Sequence, residues 1–122
     1  MLYLDTNIIL RYLLQDSEEY KTKSKEYIEN HATYIKNEVF AEVVYVLNKT
    51  YKVPKNEMSK ILKEFISQDN INVDSKETLN LALEIFENKN IDFVDSLLCA
   101  YTKIQNITVV SFDKKLNQCI NN

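Results

Sequence analysis

The chain opens Met1-Leu2-Tyr3-Leu4-Asp5-Thr6-Asn7-Ile8-Ile9-Leu10-Arg11-Tyr12-Leu13-Leu14, and the reading of this stretch decides the fold class. Leu2–Leu4 is an apolar run too short for a helix, Asp5-Thr6-Asn7 is a polar break, and the residues from Ile8 to Leu14 are apolar almost all round. That order predicts a buried strand, a turn and a largely buried helix. The same unit recurs downstream. Tyr34-Ile35 precedes a helix that Asn37 can cap, apolar at Val39, Phe40, Val43, Val44, Val46 and Leu47. Ile71-Asn72-Val73 precedes a helix that Asp74 and Glu77 start and that runs to about Glu87. Ile107–Ser111, rich in β-branched residues, is the clearest strand signal of all and precedes a short helix from Asp113 to Ile120. Between these units lie a charged surface helix from Ser17 to His31 and an apolar-striped one opened by Pro54. The charged helix has Asp16 and Glu19 in the reciprocal capping pattern. A further helix runs from Asp92 to about Gln105. Strands alternating with helices predict an α/β domain whose mainly parallel sheet is covered on both faces. No repeat or linker interrupts residues 1–122, so a single domain is expected.

Composition narrows the function. The 122 residues contain no glycine, one proline and two cysteines, and 18 acidic against 15 basic residues give a formal charge of −3. Without glycine the backbone cannot approach a phosphate closely enough for a P-loop or a dinucleotide fingerprint. Turns then fall to Asn or Asp, which tolerate positive φ, and Asn30, Asn70, Asn88, Asn90 and Asn106 stand at suitable places. Cys99 and Cys119 lack a CxxC spacing or a nearby His and read as free thiols, Cys99 buried. Met1 leads straight into the first strand with no secretion-signal pattern, and no apolar run is long enough to span a bilayer, so a cytoplasmic protein without a membrane role is expected.

Four carboxylates stand where a solvated face alone does not put them. Asp5 and Asp113 each follow an expected strand, and the C-terminal ends of parallel strands form the edge where ligands bind. Asp95 lies in the first turn of the helix that Asp92 starts. Glu42 is the only charge between Val39 and Asn48 and borders an apolar face. Each acid also has a bland role: Asp5 and Asp113 as helix caps, Asp95 as a partner of a helix dipole, Glu42 as a solvated side chain. Together, with no basic partner among them, they would repel one another unless a cation intervened, and an all-oxygen set suits Mg²⁺ or Mn²⁺. Setting these four aside leaves 14 acidic against 15 basic residues, so the negative charge of the chain is largely theirs.

Asp5-Thr6-Asn7 after the first strand, Glu42 on the apolar third helix, Asp92-Phe93-Val94-Asp95-Ser96-Leu97-Leu98-Cys99-Ala100 and Ser111-Phe112-Asp113 resemble, in order and spacing, the PIN-domain ribonucleases. The resemblance covers essentially the whole chain and is closest to the VapC-type toxins of toxin–antitoxin pairs. It implies a PIN-like three-layer α/β/α fold over residues 1–122 and an endoribonuclease dependent on one or two Mg²⁺ or Mn²⁺ ions. Asp5, Glu42, Asp95 and Asp113 would be the catalytic, metal-binding acids, and Thr6, Asn7, Ser111 and Asp92 supporting polar residues. The implied partners are an RNA substrate, a small cognate antitoxin protein and a second copy in a homodimer. Ser96 and Leu116 depart from the family pattern, where alanine and an aromatic residue are common.

With such a site no side-chain nucleophile is needed, and the lone His31 at a helix end reads as solvated. Arg11 shares a face with Asn7, four residues away, and is a candidate contact for substrate phosphate or an inhibitor carboxylate; a surface ion pair is the competing reading. Lys114 and Lys115 follow Asp113 and are placed to steer a phosphodiester strand. Tyr20, Lys21, Lys23, Lys25 and Tyr27 offer stacking and charge on one helix, with a plain solvated face preferred. The alternatives are an RNA-processing PIN nuclease without antitoxin and a non-catalytic PIN-like or receiver-like binding module. A receiver needs paired acids after the first strand and a dehalogenase-type phosphatase a second Asp at position 7, where Asn stands.

Overall fold

A computed structural model describes residues 1–122. Three two-residue strands, β1 (Leu2–Tyr3), β2 (Thr33–Tyr34) and β3 (Ile71–Asn72), form one parallel sheet in that order, with Leu2 beside Thr33 and Thr33 beside Ile71. Backbone bonds extend the pairing past the strand ends, from Leu4 N to Tyr34 O at 3.0 Å and from Ile35 N to Asn72 O at 2.9 Å. The helices are α1 (Thr6–Leu14), α2 (Glu18–Glu29), α3 (Asn37–Lys49), α4 (Lys55–Ile66), α5 (Lys76–Asn88), α6 (Phe93–Ile104) and α7 (Lys114–Asn121). Crossovers of two helices each, α1–α2 and α3–α4, carry the chain between parallel neighbours, as parallel pairing requires. The sheet is covered: Thr33, Ile35 and Ile71 are fully buried, and Ile35 and Ile71 join one continuous core with Ile9, Phe40, Leu62 and Leu83. Burial of such side chains is the main term holding the fold, at roughly 1.5–3 kcal/mol each.

Ile107–Ser111 does not form the expected strand. None of the backbone N–H groups of residues 108–112 donates to a neighbouring strand. Val109 packs on the core, but Ile107 is exposed, Val110 is 90% exposed and Phe112 fully so. β-branched residues favour a strand because they fit a half-buried pleated surface, and without a pairing edge that preference has nothing to act on. The segment is pinned at its end, where Ser111 Oγ accepts from Asp113 N at 2.9 Å and Ser111 O accepts from Asn117 Nδ2 at 2.9 Å.

Helix starts differ locally from expectation. Asp16 does not cap α2; Ser17 occupies the cap and Asp16 binds Arg11. Asn37 is the first residue inside α3, behind Lys36, and its Nδ2 donates to Tyr101 Oη at 2.7 Å. Ser75, not Asp74, caps α5 by accepting from Thr78 N at 3.1 Å. Of the five asparagines expected in turns only Asn106 has positive φ; Gln15 and Lys52 take the other left-handed positions. Cys99 and Cys119 are not free thiols. Both are buried and bonded to each other across 6.2 Å between Cα atoms, joining α6 to α7.

Candidate functional site

Three of the acids sit at helix starts for one local reason. A carboxylate at the cap accepts a backbone N–H that the helix leaves without a partner, and the partial positive charge of the terminus favours the anion. Asp5 follows β1 and caps α1, accepting from Thr6 N at 2.8 Å. Asp92 caps α6, accepting from Asp95 N at 2.8 Å, and its carbonyl accepts from Ser96 Oγ at 2.9 Å, so the serine that departs from the family pattern braces this turn while fully buried. Asp113 caps α7, accepting from Leu116 N at 2.8 Å. The bland capping roles are therefore filled, which leaves each carboxylate its second oxygen.

Asp95, one turn into α6, is the half-buried member. Burial, then the charge of Asp92, then that of Asp113 raise its carboxyl pKa above the ordinary range. The structure thus brings Asp92, Asp95 and Asp113 into one electrostatic group. Asp5 and Glu42 are not among the groups that raise the Asp95 pKa. Asn37, at the start of α3, bonds Tyr101, two turns into α6, whereas the far end of α3 (Ala41, Val44, Tyr45, Asn48, Lys49) lines a cleft with Asp92, Phe93 and Val94. The two helices run antiparallel. The start of α6 therefore lies beside the stretch of α3 from Ala41 to Lys49, which begins roughly 6 Å along the helix from Asn37, taking four residues at about 1.5 Å each. Glu42 itself is exposed.

The donor set fits a hard divalent cation in its chemistry. Asp92, Asp95 and Asp113 are oxygen donors, they repel one another, and the salt bridges of the chain lie elsewhere, at Arg11–Asp16 and Lys23–Glu19. No three carboxylates already enclose a common point. Mg²⁺ does not need them to, because it keeps several waters and is commonly held by one or two carboxylates together with substrate phosphate.

The basic candidates divide. Arg11 grips Asp16 with two bonds from Nη1, at 2.8 and 3.0 Å, the ion pair that the sequence left as its competing role. Lys114 and Lys115 are exposed in the first turn of α7, and Lys115 Nζ reaches Asn90 O only at 3.5 Å. Thr6 is buried beneath Asp5, and Asn7 opens onto a groove between α1 and α2. His31 is exposed at the end of α2. Lys49 lines the cleft with Asp92, and Lys55 Nζ lies over the Phe86 ring, two cations that the sequence alone did not single out. The signal was present, a lysine ending the apolar third helix and another directly after Pro54, but each reads singly as a solvated charge.

The family model described as the PIN domain matches residues 2–119. The chain belongs to the PIN domain family. Its short parallel sheet flanked by helices is the α/β/α arrangement expected of a PIN fold. A curated relative, the "VapC ribonuclease" of Aquifex aeolicus, is 24% identical over 123 residues that cover 97% of this chain and 91% of that protein. No solved structure matches the chain. No helix of this PIN domain is long and apolar enough to cross a membrane.

Proposed function

We propose that residues 1–122 form a single PIN domain that acts as a divalent-metal-dependent endoribonuclease, hydrolysing phosphodiester bonds of single-stranded or loop RNA. We propose further that it is the toxin of a cytoplasmic toxin–antitoxin pair, held in check by a small antitoxin protein and active as a homodimer. The observation that carries the nuclease reading is the group of unneutralised carboxylates at the starts of α6 and α7, with Asp95 pushed up by burial and by two neighbouring acids. The relative's name supports the toxin reading.

Asp95 would hold Mg²⁺ or Mn²⁺ with Asp92 and Asp113. A bound cation of this kind offsets charge on a phosphodiester and lowers the pKa of an attacking water. The chain's own residues do the rest. Asp92 fixes the first turn of α6, so the Asp95 carboxyl is presented from a rigid element. Asp113, capped onto α7, approaches from the other helix. Lys114 and Lys115 set positive charge beside it, where an approaching RNA backbone is drawn in. Ser111 holds the chain into this turn. Asp5 and Glu42 belong to the set by resemblance, with Thr6 and Asn7 as the polar residues beside Asp5.

The test is RNA cleavage by purified protein in Mg²⁺ or Mn²⁺ against EDTA, with Asp95→Asn, Asp113→Asn, Asp5→Asn and Glu42→Gln compared. Asp95→Asn is expected to lower the rate at least about a hundredfold, more than loss of a group that only orients a ligand. Cleavage that persists in EDTA or in Asp95→Asn overturns the reading. An effect of Asp5→Asn as large as that of Asp95→Asn places Asp5 on the ion.

A further inference from the structure

Beside the acids, between the second half of α3, Phe86 of α5 and the first turn of α6, lies a cleft of about 330 Å³. Its floor is apolar, with Val44, Phe86 and Phe93 buried. Its rim carries two side chains that a folded domain normally hides, Tyr45 at 64% and Val94 at 55% exposure. Asp92, neighbour of Asp95, forms part of the same wall.

One cation lines this cleft and a second adjoins it. Lys49 lines it, and Lys55 Nζ lies 4.3 Å from the centroid of the Phe86 ring. Neither forms a salt bridge; the ion pairs of the chain are Arg11–Asp16 and Lys23–Glu19. Lys55 Nζ donates to Lys89 O at 3.3 Å; burial and then the charge of Lys49 lower its pKa, and the nearby charge of Asp92 acts the other way. Asn48, between Tyr45 and Lys49, donates its Nδ2 to Val53 O at 3.2 Å, which fixes the amide and leaves its oxygen for an outside donor.

We infer that this cleft is a nucleotide subsite, in which one base of a single-stranded RNA lies on Tyr45 above the apolar floor and the adjoining backbone phosphate rests on Lys49 and Lys55, next to the acids. The inference builds on the nuclease reading above. An aromatic rim, an apolar floor and unpaired cations within one small cleft match the alternation of flat ring and anionic backbone in RNA. An acidic peptide would meet the cations but leave Tyr45 without a flat ring to stack.

The experiment reads binding without cleavage. Fluorescence anisotropy in EDTA follows labelled 12-mers of uridine, adenosine and cytidine and a 12-mer of the same backbone lacking bases. Wild type is compared with Tyr45→Ala, Lys49→Ala and Lys23→Ala, the last on the opposite groove, after thermal melting shows each folded. Tyr45→Ala is expected to weaken binding of at least one base-bearing 12-mer by about fivefold or more and to leave the base-free one unchanged. Lys49→Ala weakens both and lowers the salt dependence by about one ion. Lys23→Ala changes neither. The inference is overturned if wild type binds no RNA, if Tyr45→Ala leaves every 12-mer unaffected, or if it weakens the base-free backbone equally. It is also overturned if Tyr45→Ala alters only self-association in sedimentation or only binding of a poly-glutamate peptide. Base-dependent binding in a protein that never cleaves RNA would refute the nuclease reading and leave the subsite standing, and cleavage with unaltered Tyr45→Ala binding would do the reverse.

Discussion

Two grooves on this small domain look alike in composition and differ in electrostatics. The groove between α1 and α2 encloses about 390 Å³ and is lined by Arg11, Tyr20, Lys23 and Tyr27, a mixture of rings and cations that suits nucleic acid on paper. Both cations are taken. Arg11 lies 2.8 Å from Asp16, and Lys23 lies 3.3 Å from Glu19 one helical turn away. The cleft beside Asp92 is lined by Lys49, with Lys55 next to it on the Phe86 ring, and neither forms a salt bridge, although the charge of Asp92 acts on Lys55. What marks a binding surface for a polyanion is charge left unspent by the fold, not the number of lysines on a helix. Exposed pairs such as these contribute at most about 1 kcal/mol each, but they must be given up before a phosphate gains anything.

The walls differ too, and here the comparison can be broken with the largest effect. The α6 wall of the cleft is bonded to α7 through Cys99 and Cys119, which are 20 residues apart, whereas α1 and α2 are joined only by packing and their loop. Closing a loop of that length removes chain entropy from the unfolded state and stabilises by about 3 kcal/mol. Reduction with dithiothreitol, or Cys99→Ser with Cys119→Ser, is expected to lower the denaturation midpoint accordingly. The loss should fall first on hydrogen-exchange protection of α7 and leave α1 and α2 protected. Equal loss of protection in all three helices would show that the bond acts on the whole domain rather than on the site.

How much of this was legible in the sequence depends on the range of the interaction. The order of the helices and the first three strands follows from local periodicity, which is why Leu2, Tyr34 and Ile71 fall where expected. The strand expected at Ile107–Ser111 needed a partner edge, a non-local condition that β-branched composition cannot supply, and Val110 stands 90% exposed. The cysteine pair is likewise non-local, invisible until α6 and α7 pack together. Caps misread as Asp16 and Asp74 lie one residue from Ser17 and Ser75, which fill those positions, because adjacent polar residues compete for one cap and the winner depends on tertiary neighbours such as Arg11. Among the site residues, Asp5, Asp92 and Asp113 were legible as residues at element starts. The grouping of Asp92 and Asp113 around Asp95 was not, since it depends on how α6 and α7 pack together.

A smaller effect tests the acids against the cations across the cleft. A carboxyl pKa raised in the folded state means that the unfolded chain loses its proton first as pH rises. The favourable contribution of Asp95 is then present below its ordinary value of 3.8 and is lost as pH climbs through the raised folded value. At pH 7 the ionised side chain is therefore a net cost, dominated by burial and the fields of Asp92 and Asp113. Asp95→Asn is expected to stabilise the metal-free protein at pH 7 by less than about 1 kcal/mol, because solvent screens the group, and to give no gain at pH 3. Thermal melts at the two pH values measure this directly. Adding Mg²⁺ should raise the midpoint of wild type and not of the variant, and a variant that gains as much as wild type would remove Asp95 from the ion.

The smallest effect concerns how each wall ends. Helix α1, on the paired groove, stops at Gln15 with φ 53°, and the chain leaving α3, on the unpaired cleft, turns at Lys52 with φ 58°. A β-carbon in the left-handed region crowds the following carbonyl, a penalty glycine avoids, but this chain has no glycine to offer. Gln15→Gly and Lys52→Gly should each stabilise by roughly 0.5 kcal/mol, the relief of strain being partly offset by the greater freedom glycine gives the unfolded chain. The two sites part company in function. Lys52 lies between Asn48 and Val53, whose carbonyl anchors the Asn48 amide, so loosening it should weaken base-dependent RNA binding slightly while Gln15→Gly leaves binding alone. Urea titrations with parallel anisotropy on the same preparations separate the two. A Lys52→Gly protein that is more stable and binds RNA as wild type does would show that Asn48 needs no rigid anchor, and would confine the subsite to Tyr45 and the two lysines.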